Sequence, residues 1–123
     1  MKTNDLMLGD LVYYSHTEDG IAPYKEVIRI QAEDLCRDAC IIETHYEPIP
    51  LTPEMLEKNG WRSRMNGTGE FYLKKPLVDA AIITKTIMGF QMNHRPFCGL
   101  SIHYVHELQH ALRLCRIDKE IVL

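Results

Sequence analysis

Two periods alternate along this chain, and each change of period marks an element. Residues 9–14 read Gly-Asp-Leu-Val-Tyr-Tyr. Val12 and Tyr14 fall on one face and Leu11 and Tyr13 on the other, which is the spacing of a strand entered from a turn. A polar turn over 17–20 ends in Gly20. Residues 24–31 read as a second strand, with Val27, Ile28 and Ile30 set against Glu26 and Arg29. Residues 32–38 fit neither period, because Leu35 and Cys36 stand among charges. The apolar, β-branched run over 39–44 predicts a third strand.

The best-specified stretch lies between Glu47 and Trp61. Pro48 and Pro50 each restrain the preceding residue to an extended conformation and so make a connector. A helix over 52–59 follows with both ends written out. Thr52 can cap the first turn, Pro53 sits where its missing N–H costs nothing, and Glu54 complements the helix dipole. Gly60 supplies a left-handed stop after Asn59. Leu51 and Trp61 are placed to fold onto Leu56 from the two ends.

Residues 61–65 and 70–74 predict a hairpin across Asn66-Gly67-Thr68-Gly69. Residues 80–88 are predicted as a buried strand, Gly89 as a turn or bulge, residues 93–96 as a turn, and residues 98–103 as another strand. A closing helix is predicted over 104–115, where Tyr104, Val105, Leu108, Ala111, Leu112 and Cys115 share one face. Ile117 and Ile121-Val122-Leu123 alternate with charges as a short terminal strand. The pattern as a whole is α+β. A strand-rich front half that enters like SH3-like small barrels is followed by a short capped helix and a small antiparallel sheet with a C-terminal helix. We expect a single compact domain over 1–123, with sub-lobes 1–47 and 48–123.

Composition changes this picture little. The chain has 123 residues, 46% apolar and 25% charged, as a small globular domain does. It contains no run of about 18 apolar residues, so no membrane span is expected. The first residues lead into no apolar signal core, and nothing about Cys36, Cys40, Cys98 and Cys115 marks an oxidising compartment. A cytoplasmic protein with free, mostly buried thiols is the expectation. Charge is more informative. Residues 1–57 carry four Lys/Arg against twelve Asp/Glu, a net of −8, whereas residues 58–95 carry seven against two, a net of +5. Such halves can attract each other within one molecule or between copies. The basic segment, with Arg62, Arg64, Lys74 and Lys75, is also a candidate nucleic-acid surface.

One motif looks like chemistry. His106-Glu107-Leu108-Gln109-His110 matches the H-E-x-x-H pattern of zinc peptidases, in which two histidines on one helical face bind Zn²⁺ and the Glu acts on the metal-bound water. His103 lies close to the same stripe. Against this, only thirteen residues follow His110, and they offer Asp118 and Glu120 but no further His. On a helical wheel the three histidines oppose Val105, Leu108 and Leu112, which predicts a solvated polar face rather than a walled cleft. Six histidines in the chain also make a chance match unsurprising. Cys36 and Cys40 lack the two-residue gap of zinc or redox motifs and are expected as packed thiols. Cys98 or Cys115 beside His94 or His110 is a weak nucleophile pairing, and packing is the expected use.

Three separated blocks carry a resemblance: residues 8–14, Leu-Gly-Asp-Leu-Val-Tyr-Tyr; residues 48–56, Pro-Ile-Pro-Leu-Thr-Pro-Glu-Met-Leu, with Gly60-Trp61; and residues 104–110, Tyr-Val-His-Glu-Leu-Gln-His. Together they resemble a family of small uncharacterised proteins abundant in gut anaerobes, often in their prophages and other mobile elements. The resemblance implies no activity. In that family the positions of Glu107 and His110 commonly carry Gln and Asn, which implies that the zinc-like match is incidental. It also implies a structural or partner-binding role for His106. Thr52, Pro53, Leu56, Gly60 and Trp61 are then structural. The expected function is a non-catalytic interaction or accessory protein, without catalytic residues or cofactor, that binds a protein partner or self-associates. The alternatives are a zinc-dependent hydrolase using His106, Glu107 and His110, and a nucleic-acid-associated factor.

Overall fold

The computed structural model of the protein describes residues 1–2, 5–17, 20–63, 70–73, 82–86, 89–94, 97–117 and 119–123. They form an α+β chain that divides into two compact units, Met1–Ile49 and Pro50–Leu123.

In the first unit, β1 (Leu11–His16) pairs antiparallel with β2 (Tyr24–Arg29) on one side and β3 (Tyr46–Glu47) on the other. The order β2-β1-β3 leaves β2 as an edge. Val12 and Tyr46 lie on the inner face and close a core with Leu6, Ile30 and Ile42. Two short helices, α1 (Ala32–Leu35) and α2 (Ala39–His45), lie in the connection between β2 and β3. The three-stranded sheet gives the expected likeness to SH3-like barrels no support.

Helix α2 replaces the strand expected over 39–44. Its cap is the cause. The Asp38 carboxylate accepts the Cys40 amide at 2.9 Å, and this first turn sets a helical period that buries Ile42 and leaves Ile41 exposed. Helix α1 begins in a similar way, with Asp34 accepting the Gln31 amide at 2.8 Å. Cys36 and Cys40 are free and exposed, not packed as expected, because both sit on these short surface helices or their caps.

The second unit opens with α3 (Pro53–Lys58), where Thr52 Oγ1 accepts the Met55 amide at 3.3 Å and Gly60 stops the helix at φ 93°. A five-stranded antiparallel sheet follows in meander order: β4 (Trp61–Ser63), β5 (Glu70–Leu73), β6 (Ile82–Thr86), β7 (Gly89–His94) and β8 (Phe97–Ile102). The β4–β5 register, Trp61 opposite Leu73, is that of the expected hairpin, whose loop lies outside the described residues. Phe71, Ile83 and Met92 share a cross-strand row and are buried, as are Trp61, Phe90 and Ile102. Phe71 meets Phe90 edge to face at 6.4 Å. The exposed or half-buried positions Arg62, Thr84, Gln91 and Ser101 alternate with this apolar set.

Helix α4 (Val105–Leu114) closes the unit and buries Val105, Leu108, Ala111 and Leu112. The connector meets its start, since the Leu51 amide bonds the His103 carbonyl at 3.0 Å. Residues 121–123 are not the expected strand. Ile121 is buried, and Val122 is held instead by the side chain of Asn59. No helix among the described residues is long and apolar enough to cross a membrane.

Candidate functional site

The histidine stripe of α4 departs from the expected solvated face. His103 is exposed and His110 half-buried, but His106 is only 6% exposed. Its imidazole stacks on the Tyr104 ring at 5.8 Å and 12°, and meets the His110 ring edge-on at 5.6 Å. Gln109 is buried as well, so the covered surface of α4 extends well beyond its aliphatic stripe. The aromatic side chain at the cap covers a position that a helical wheel assigns to water.

Glu107 has a structural use. Its Oε1 accepts the main-chain amides of Tyr104, the N-cap, at 3.1 Å and of His103 just before it at 3.0 Å. The carboxylate that would act on a metal-bound water therefore serves the helix start. Among the described residues no three His, Cys, Asp or Glu side chains gather as a ligand set. The arrangement does not fit a zinc hydrolase centre. Ser101, Glu107, His110, Ala111 and Leu114 line a shallow hollow of about 170 Å³ beside the helix. Burial raises the Cys115 thiol pKa, which weakens it as a nucleophile. Cys98 and His94 lie on the neighbouring strands β8 and β7.

Of the candidate nucleic-acid residues, Arg62 is exposed on β4, whereas Arg64, Lys74 and Lys75 lie outside the described residues. In the second unit Thr52 caps α3, Pro53 opens it, Leu56 and Trp61 are buried, and Gly60 takes the left-handed turn. The Trp61 indole nitrogen is buried and meets no hydrogen-bond acceptor among the described residues.

A second cluster lies in the first unit. Tyr24 stacks on His16 at 4.4 Å, His16 meets Tyr14 edge-on at 4.8 Å, and Tyr14 stacks on His45 at 5.4 Å. His16 Nε2 lies 2.9 Å from Glu26, and His45 Nδ1 donates to the Ser15 carbonyl at 2.9 Å. The Arg37 guanidinium stands 5.9 Å over the Tyr14 ring. Behind this row, Tyr46 donates its hydroxyl to Asp34 at 2.5 Å. Burial first, then that bond and the Asp34 charge, raise the tyrosine pKa well above 10.0.

The ring row runs to β2, the edge strand. Tyr24 is 51% and Val27 45% exposed there, and Ile21 just before the strand is 56% exposed. No described strand pairs with the outer side of β2. The alternation of Tyr14 and His16 on one face was the available signal for the row. His45 joins it only because residues 39–45 are helical. The unit carries four Lys/Arg against ten Asp/Glu, a net of −6.

Compared with protein-family models, with curated proteins and with solved structures, the chain matches none.

Proposed function

We propose that this protein is a non-catalytic binding module that takes a basic, extended segment of a protein partner along the outer side of β2. The observation that carries the reading is this edge. It is a six-residue strand with one side open among the described residues and with large apolar side chains, Tyr24 and Val27, standing half in water. An added strand would bond to the main chain and cover those side chains. The net charge of −6 on Met1–Ile49 selects a basic partner and speeds encounter. The exposed thiols of Cys36 and Cys40 suit a reducing compartment such as the cytoplasm. The use of Glu107 as a capping group speaks against the hydrolase reading.

The test is hydrogen exchange on the chain bound to a partner recovered from its host. Binding should protect the β2 amides, weaken with salt, and fall at least about tenfold in a Val27→Lys variant, which leaves a charge under the added strand. A complex that leaves β2 unprotected and tolerates Val27→Lys would overturn the proposal.

A further inference from the structure

Asn59 does more than end a helix. Its side chain is 4% exposed, and its amide makes a two-pronged match to the main chain of a residue 63 positions away. Nδ2 donates to the Val122 carbonyl at 2.8 Å, and Oδ1 accepts the Val122 amide at 2.8 Å. A third bond, from Nδ2 to the Met55 carbonyl at 2.8 Å, fixes the rotamer. This is how a neighbouring strand would read Val122: it recognises the peptide group and ignores the side chain, which points half into water. The neighbouring Ile121 is only 2% exposed and anchors the segment. The pair is built like a slot and an extended peptide.

The link back to α4 is strained. Arg116 takes a left-handed conformation, φ 56°, at the position after the helix where glycine is usual. The turn is closed by the Arg116 amide on the Arg113 carbonyl and the Ile117 amide on the Leu112 carbonyl. Opening it would release that strain and free residues 119–123 to reach another slot.

We propose that residues 119–123 of one copy dock in the Asn59 slot of a second copy, and reciprocally. The two Asn59–Val122 bonds of the closed form are then remade in the pair, so concentration, and the strain released at Arg116 against the two turn bonds given up, set the balance. The inference extends the binding role to self-association through a surface other than β2.

Complementation tests it. An Asn59→Ala chain keeps its segment but loses its slot, and a Val122→Pro chain keeps its slot but loses the amide that Asn59 accepts. One chain is isotope-labelled, and masses are read by native mass spectrometry. Buried Trp61 emission checks that each variant is folded. Each variant alone should dimerise at least about tenfold more weakly than the native chain, and the mixture should restore a mixed dimer with one native pairing. Arg116→Gly, which leaves the slot intact, should weaken the native dimer about fivefold by relaxing the closed turn. A native chain that stays monomeric, or dimers that ignore all three substitutions, would overturn the proposal. Dimers that vanish only with Val27→Lys would overturn it while leaving the β2 reading standing. Binding of a synthetic peptide of residues 119–123 to the Val122→Pro chain, without exchange between copies, would mean that the slot takes a partner's strand, and would also overturn it.

Discussion

Replacing Asn59 tests whether one side chain stands in for a strand. Asn59→Ala removes three hydrogen bonds, to Met55 and twice to Val122. At about 1 kcal/mol net for each, the expected loss is about 2–4 kcal/mol. The lower end applies if water reaches the Val122 peptide groups, since that residue is half exposed. Asn59→Asp is almost the same shape, and it separates hydrogen bonding from packing. An oxygen takes the place of Nδ2 and faces the Met55 and Val122 carbonyls, acceptor against acceptor, in a site that is 4% exposed. The buried carboxylate should make Asp worse than Ala by about 1 kcal/mol or more at neutral pH. Its folded-state pKa is raised, so the Asp deficit should shrink as pH falls toward the ordinary carboxyl range near ~3.9. Urea unfolding read by tryptophan emission isolates the effect, because Trp61 is the chain's single tryptophan and belongs to the same unit. With a mid-range slope of about 2 kcal/mol per molar, the Ala midpoint should drop by about 1–2 M. A shift equivalent to less than about 0.5 kcal/mol, or an Asp variant as stable as Ala, would refute the reasoning.

Other substitutions follow from the same geometry. Thr52→Ala removes the α3 cap and should lower stability of the second unit by about 1 kcal/mol, while Thr52→Ser should not. Gly89→Ala should destabilise strongly in thermal melts, because the new methyl would stand 2.8 Å from His103 Cδ2 at a backbone φ of 133°. Glu107→Ala should cost about 1 kcal/mol by exposing the α4 start, and Glu107→Gln much less, since an amide oxygen can still accept. Equal losses in the two would argue against the capping role. Tyr46 should impose an alkaline limit on the first unit. Its folded pKa is raised, so above the unfolded value of 10.0 the unfolded chain releases a proton that the folded chain keeps, and stability falls as pH rises. Circular dichroism should show this slope in the native chain and its loss in Tyr46→Phe.

What could be read in advance was local. Helix α3 carries its start and stop within nine residues, from Thr52 to Gly60, and the β4–β5 hairpin and the span of α4 rest on similarly short-range signals. What could not be read was set by competition or by distance. Residues 39–44 hold β-branched residues that favour a strand, but the Asp38 cap outweighs them. The 121–123 stretch has strand alternation, yet its main chain pairs with a side chain 63 positions earlier. His106 was assigned to solvent because a helical wheel knows only its own helix, whereas the ring that stacks on it belongs to the capping residue. The Tyr24–His16–Tyr14–His45 row depends on two strands and one helix meeting.

The fate of the H-E-x-x-H motif turns on where it falls in its helix. In mid-helix, the main-chain amides on either side of a glutamate are already bonded to carbonyls one turn back, and the carboxylate is left to act on something else. Here the Glu is the third residue of α4, where the nearby amides have no carbonyl to bond. A carboxylate placed there is drawn to them by hydrogen bonding and by the helix dipole together. The first His of the motif sits in the opening turn beside the cap, so its ring is covered by Tyr104. The same five letters therefore describe a catalytic face in the middle of a long helix and a self-capped start at the beginning of a short one. In this chain the second arrangement accounts for the placement of Glu107 and of His106.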